Sequence, residues 1–401
     1  MIFKVASFTV SYAPYMGFDS TLSDLRSSGS LKWADPQRPF QLWQAEMDFG
    51  IAPQIQHAIC RYLASTAVGY LEPRQLAGLR EATSSFVARN GLTVDPAYVR
   101  IAPDVVTIVD KLITSLSRPG ERVLVFTPGY KGFRHLLPRT GRQMVEIPLI
   151  NVNGKSTFNL TALEKELTIG AAVFLLVNPA NPTGRVYTAK ELASLDALLE
   201  RFPRTRVIAD EIHSPFVMEG THIPYATVSE NSARQSITTT SASKGWNLAG
   251  FKAAQVIFTN AEDLTTLAPA FDAGELAVST LGVVAQTVAY NECWDWQRRA
   301  LEVIRANRDE LAARAATWPG VTLTPMEATY IAWLDFSGAQ SMGLFPADVD
   351  VATHLEKFGL ALTPGAEQGP GLDHFVRMMI AVPPAVFAEV IKRIESALKL
   401  R

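Results

Sequence analysis

Lys244 is the residue in this chain whose surroundings best suit covalent chemistry. It lies in Ser241-Ala242-Ser243-Lys244-Gly245-Trp246-Asn247-Leu248-Ala249-Gly250, directly after Ser236 to Thr240, a run of strand length. Two further motifs precede it. Asn178-Pro179-Ala180-Asn181-Pro182-Thr183-Gly184 follows the apolar run Ala171 to Val177, and Asp210-Glu211-Ile212-His213 closes Val207-Ile208-Ala209. A lysine placed after a strand can form a Schiff base with an aldehyde cofactor. Any one motif has a plain structural use, because Asn-Pro and Thr-Gly punctuate loops and an Asp ending a strand caps a turn. Three polar loops in succession, each after a strand and each with chemically useful groups, point to a site.

The elements that must position these residues can be read from the same rows. Arg122 to Phe126 is a strand ending at Thr127-Pro128-Gly129, and Ala171 to Val177, Val207 to Ala209, Ser236 to Thr240 and Ala254 to Phe258 continue the series. Thr188-Ala189-Lys190-Glu191 fits a capping box opening a helix to about Glu200. Strands alternating with helices predict an α/β protein with a mostly parallel sheet covered on both faces. In such sheets ligands bind beyond the carboxyl ends of the strands, where all three motifs fall. The remainder differs. A helical pattern runs from Glu292 to about Trp318, and a strand is expected at Thr329 to Leu334. Helices are expected near Asp348 to Phe358 and Pro384 to Leu398. This reads as a smaller α+β domain, with the N-terminal 45 or so residues packed against it. The expected division is a large domain at 46–284 and a small one from 1–45 and 285–401.

Composition narrows the function. The 401 residues are 48% hydrophobic and 19% charged, with a formal net charge of −2 and no block of like charge. Nothing there suggests nucleic acid or an anionic membrane as a partner. The two cysteines, Cys60 and Cys293, have no metal-ligand spacing and imply no disulfide framework, which suits a reducing compartment. No apolar run reaches the ~18 residues of a membrane span, and Met1 to Phe18 lacks the basic start and clean apolar core of a signal peptide. The cytosol is the expected location. No Gly-x-Gly-x-x-Gly follows a strand, which argues against a nicotinamide enzyme.

Taken together these residues resemble the fold-type I pyridoxal-phosphate (PLP) enzymes of the aminotransferase class I/II group. Within it they most resemble the MalY/PatB branch of cystathionine β-lyases, or C–S lyases. The branch signals are Leu31-Lys32-Trp33, Trp43-Gln44-Ala45-Glu46-Met47-Asp48-Phe49, Asp210-Glu211-Ile212-His213, Ser243-Lys244 with Asn247-Leu248-Ala249-Gly250, and Ala328-Thr329-Tyr330. The resemblance runs from about Lys32 to the C-terminus. It implies a seven-stranded, mostly parallel sheet in the large domain, and a homodimer with shared active sites.

It also implies a role for each candidate residue. Lys244 is the Schiff-base lysine and carries the Cα proton. Asp210, 34 residues earlier, pairs with the protonated ring nitrogen and favours its charged, electron-drawing form. Asn181 donates to the phenolic oxygen with His213 beside it, and Tyr130 stacks on the ring. The phosphate is expected at the start of a helix opening after Asp104, on the amides of Val105 and Val106. Ser241, Ser243 and Lys252 assist, although lysine supplies charge without the fork of an arginine. Asp104 caps that helix. Tyr70, in Val68-Gly69-Tyr70, reaches the phosphate of the partner subunit. Arg377 clamps the substrate α-carboxylate, which its two parallel donors suit; a buried structural ion pair is its other reading.

Three departures bear on the substrate. Ala180 stands where the branch has His, Lys131-Gly132 where it has Pro-Pro, and Glu367-Gln368-Gly369-Pro370 where a Phe-Gly pattern is usual. The expected reaction is β-elimination from an S-substituted L-cysteine, giving thiol, pyruvate and ammonia. Alternatives are transamination or decarboxylating oxidative deamination of an S-conjugated cysteine, and a non-catalytic PLP-fold regulator. The last should have lost Lys244, Asp210 or Arg377, and all three are present.

Overall fold

The structure, a computed structural model, describes residues 16–35, 38–65, 69–275, 277–346 and 348–400. The segment before residue 16, expected to pack on the smaller unit, lies outside the described residues, as does Val68. Among the described residues no helix is long and apolar enough to cross a membrane.

The main sheet has seven strands. In spatial order they are Val99–Ala102, Ala254–Ile257, Ser236–Thr240, Arg206–Asp210, Val173–Val177, Arg122–Thr127 and Gln143–Pro148. All neighbours pair in parallel except Ala254–Ile257, which runs antiparallel to both of its partners. The central strands Val173–Val177 and Arg206–Asp210 are buried along almost their whole length. Helices cover both faces of a parallel sheet, so its strands read as continuous apolar runs rather than alternating ones. That is why they were legible in the sequence. Each fully buried Val, Leu or Ile contributes about 1.5–3 kcal/mol by leaving water.

The helix Val105–Leu116 shows how position follows from sequence. Val105, Ile108, Val109, Leu112 and Ile113 recur at helical spacing and form its buried face. Asp104 caps it, accepting from the Thr107 amide at 2.8 Å and the Thr107 hydroxyl at 2.8 Å. The helix therefore begins just past the Val99–Ala102 strand, and its first-turn amides have no acceptor within the helix. The capping box at Thr188 forms as the pattern requires, opening Ala189–Leu199.

A second, four-stranded antiparallel sheet is ordered Thr322–Leu323, Ile331–Asp335, Phe375–Met379, Thr363–Pro364. Two expectations shift here. The pattern from Glu292 to Trp318 is one helix only from Trp294 to Ala315, because Cys293 ends the preceding helix Thr280–Glu292 in a non-helical conformation. The strand begins at Ile331 rather than Thr329. Thr329 adopts a left-handed φ of 70°, and its hydroxyl accepts from the Ile331 amide at 3.1 Å. A residue in that region cannot continue a strand.

The N-terminal stretch has no sheet of its own. Phe40–Gln41 pairs in parallel with Leu360–Ala361, and Asp48 donates its amide to Ala381 at 2.9 Å. Lys32, fully buried, pairs with Asp48 at 2.8 Å, and the Trp33 indole donates to the same carboxylate at 2.9 Å. This cluster anchors residues 43–48 across the face of the molecule, where they form a wall of the site.

Candidate active site

A cavity of about 250 Å³ opens at the carboxyl ends of the central strands. Lys244, Asp210, Asn181, His213, Tyr130 and Arg377 line it, with Val105, Val106, Ser243 and Lys252 at the end nearest the helix Val105–Leu116. Residues some 200 positions apart meet there because successive strands deliver their loops to one edge.

Lys244 is buried, and burial is the largest influence on it, ahead of the nearby Arg377 charge. Its amine is held down to about 8 from the ordinary 10.5. Its Nζ donates to the Ala45 carbonyl at 2.8 Å, and the Tyr330 hydroxyl donates to that same oxygen at 3.0 Å. Asn247 fixes the Ala45 segment further, accepting from the Met47 amide at 2.9 Å and donating to the Met47 carbonyl at 2.7 Å. The lysine is thus parked on a backbone acceptor rather than in a salt bridge, so its amine is free to react once released.

Asp210 ends its strand and is buried. Its Oδ1 accepts from the Ile212 amide at 3.2 Å. Burial, aided by Glu211, pushes its carboxyl up to about 7. Among the described residues no cation forms a salt bridge with it, although the Lys244 charge acts on it, and a protonated ring nitrogen in the cavity would supply a partner. His213 is buried with Nδ1 unpartnered among the described residues, and burial pushes it down to about 3, so it is neutral. These groups fit PLP: a deprived carboxylate deep in the cavity, a reactive amine, and free helix amides with Lys252 at the anion end. Lys252 also pairs with Asp104 at 3.1 Å; against the raising effect of burial, the bonds from Thr107 and then this pair hold the Asp104 carboxylate below its ordinary range.

Arg377 sits mid-strand in Phe375–Met379, directly across from Thr363. Its Nε donates to Asn181 Oδ1 at 3.1 Å, and one terminal nitrogen donates to the Trp43 carbonyl and to Thr363 Oγ1, each at 3.3 Å. It is 3% exposed and forms no ion pair among the described residues. Burial lowers it to about 10. A structural ion pair is therefore not its role here, and the guanidinium carries a charge that a substrate carboxylate would balance.

Tyr130 stands at the start of the helix Lys131–Arg139, with its phenol raised by burial. Gly132 makes its position possible: a Cβ there would lie 2.3 Å from a Tyr130 ring carbon. Two expected residues do not line this cavity, and for one of them, Tyr70, the expected place is the partner subunit's site rather than this one. Ser241 does not line the cavity; its hydroxyl accepts from the Ser243 amide at 3.0 Å and donates to the Ala253 carbonyl at 2.8 Å, which makes it a helix cap rather than a phosphate donor. Tyr70 is 91% exposed and does not line this cavity. Conversely, Trp43, Gln44 and Ala45 form a wall, Thr363 accepts from Arg377, and Tyr330 donates to the Ala45 carbonyl on which Lys244 rests. Sequence reasoning used the Trp43 to Phe49 motif as a signature without assigning it a place. The pairing of Phe40–Gln41 with Leu360–Ala361, the Lys32–Asp48 pair and the Asn247 bonds to Met47 bring it to the cavity.

Comparison with known proteins identifies the fold and the family. The family model for aminotransferase class I and II matches residues 39–394. A cystathionine β-lyase of Corynebacterium glutamicum is 35% identical over 80% of this chain and 84% of its own. Cystathionine β-lyase PatB of Bacillus subtilis is 29% identical over 96% of this chain and all of its own. The PLP-bound C–S lyase of Staphylococcus hominis superposes with a TM-score of 0.86 at 25% identity, covering 96% of this chain and 98% of that one. The chain belongs to the aminotransferase class I and II family, in the branch that holds the cystathionine β-lyases.

Proposed function

We propose that this protein is a PLP-dependent carbon–sulfur lyase that eliminates a thiol from an S-substituted L-cysteine, leaving pyruvate and ammonia. The observation that carries the reading is the buried Lys244 amine, held down to about 8 in a cavity whose walls also carry Asp210 and an unpaired Arg377. The lyase names of the relatives support the same choice. PLP, when bound, supplies the aldehyde that Lys244 engages and the electron sink for the substrate carbanion.

The residues divide the remaining work. With PLP bound, Asp210 would hold the ring nitrogen in its protonated form. The amides of Val105 and Val106, with Ser243 and Lys252, would hold the phosphate, and Tyr130 would cover the ring. Asn181 would serve both ends, steadying Arg377 while its amide would donate to the phenolic oxygen. Arg377 takes the substrate α-carboxylate and so fixes which face of Cα meets Lys244. The Lys244 amine would take the Cα proton, a general-base step typically worth about 10² to 10⁴ in rate. Burial keeps that amine partly neutral near physiological pH, as a base requires. The thiolate then leaves from Cβ. The exposure of Tyr70 supports its service to a neighbouring subunit, and with it a homodimer. The cofactor-binding unit is taken as 46–284 and the smaller unit as 1–45 with 285–401.

The purified protein loaded with PLP is to be incubated with L-cystathionine and a panel of S-alkyl-L-cysteines. Stoichiometric pyruvate and thiol are expected, and their absence from every substrate would sink the proposal. Adding a 2-oxo acid separates transamination, which would yield an amino product dependent on that acid.

A further inference from the structure

We propose that Lys131 and Glu367 are specificity-determining residues that receive a distal group carrying both an ammonium and a carboxylate on the sulfur substituent. This rests on the lyase reading. Lys131 Nζ and Glu367 Oε2 are 2.6 Å apart, and Lys131 lines the main cavity together with Arg377 and Asn181. The two side chains are 31% and 39% exposed. An ion pair this open is weakly held, so exchanging partners with a ligand costs little.

A second, independent feature lies beside it. Gln368 is 1% exposed, yet neither Nε2 nor Oε1 has a partner among the described residues. Its backbone is pinned, its carbonyl accepting from the Gly129 amide at 3.0 Å and the Thr127 hydroxyl at 3.3 Å. The side chain lines a side cavity of about 30 Å³ that shares Tyr130 and Asn181 with the main one, and Ala180 lines it too. A buried amide left with both donor and acceptor free is costly unless something polar visits it. Of the departures the sequence suggests, at Ala180, Lys131-Gly132 and Glu367-Gln368-Gly369-Pro370, Ala180 and Gln368 line the side cavity with Tyr130, and Lys131 lines the main one.

The choice of ligand follows from charge. A neutral alkyl group offers the pair nothing. An anion alone would take Lys131 and leave Glu367 facing like charge, and a cation alone would do the reverse. A group bearing both charges exchanges with both partners at once and strands neither. The distal carboxylate meets Lys131, the distal ammonium meets Glu367, and the Gln368 amide is available to either.

The test measures dissociation constants on the Lys244→Ala protein carrying PLP, so that no turnover intervenes, read from the cofactor's visible absorbance. L-cystathionine and S-propyl-L-cysteine are compared. Adding Lys131→Met should weaken cystathionine about tenfold, the loss of a charge-assisted hydrogen bond. S-propyl-L-cysteine should stay within about twofold. Exchanging the charges with Lys131→Glu and Glu367→Lys rebuilds the pair but reverses it. A merely structural strap would then restore cystathionine affinity, whereas recognition leaves cystathionine weakened and S-propyl-L-cysteine unchanged. Equal weakening of both ligands by Lys131→Met, or recovery of cystathionine in the exchanged protein, overturns the proposal. Pyruvate assays with Lys244 in place report separately on the lyase reading: no pyruvate with an intact affinity ratio sinks the lyase, and pyruvate with an unchanged ratio sinks the recognition.

Discussion

Replacing Asp210 by Asn should stabilise the cofactor-free protein, by an amount that grows with pH. The carboxyl is buried, accepts the Ile212 amide, and is pushed up to about 7 from the ordinary 3.8, mainly by burial. A raised carboxyl pKa means that the folded state holds the proton more tightly than the unfolded chain. Stability is then greatest at low pH and is lost as pH rises through the window from 3.8 to about 7. At one pKa unit per 1.36 kcal/mol, the ionised group costs the folded state roughly 4 kcal/mol, of which about 2.5 kcal/mol falls between pH 5 and pH 8. His213 and Lys244 also titrate with depressed values, to about 3 and about 8. The first contributes a rise in stability with pH below its ordinary range, opposing Asp210. The informative quantity is therefore the difference between wild type and Asp210→Asn, in which the histidine cancels and the lysine changes only by the minor influence of Asp210 on it. Urea unfolding of the two apo proteins at pH 5 and pH 8 measures it. The variant should gain on wild type by up to about 2.5 kcal/mol across that interval, because an amide has no charge to strand. With PLP bound the sign should reverse, since the ring nitrogen then pairs with the carboxylate. A difference that stays flat with pH in the apo proteins would refute the argument that this carboxylate is held waiting for a cation.

Three further outcomes follow. Attachment of PLP to the apo protein requires neutral Lys244, held down to about 8 by burial. Its rate should climb about tenfold per pH unit below that value and level off above it, as followed by the growth of visible absorbance. Arg377→Lys keeps the charge but loses the fork that reaches Asn181 and the carboxylate together. KM should rise about 10- to 100-fold with a smaller change in kcat, and an unchanged KM would remove Arg377 from the carboxylate site. Gly132→Ala places a methyl 2.3 Å from the Tyr130 ring. The ring must move, at a cost of about 1–3 kcal/mol in stability, and a Tyr130→Ala background should erase most of that cost in thermal unfolding.

The sequence by itself determined the central strands, because a parallel sheet covered on both faces demands near-continuous apolar runs, and Val173–Val177 and Arg206–Asp210 are such runs. It determined the helix starts at Asp104 and Thr188, since capping is a local exchange between a side chain and the next few amides. It also placed Lys244, Asp210 and Asn181 at strand ends, where alternating architecture must gather them. Tertiary structure alone decided what depends on contacts distant in the chain. The Ser241 hydroxyl proton is kept from the cavity because Ala253, twelve residues on, accepts it. Arg377 came to face Asn181 only through the register of a second sheet. Lys244 rests on Ala45 because Lys32 and Asp48 pin a segment that has no sheet of its own. Local pattern encodes what neighbouring residues settle among themselves; the depressed lysine, the waiting carboxylate and the pair at the cavity mouth exist only where burial and charge from remote segments coincide.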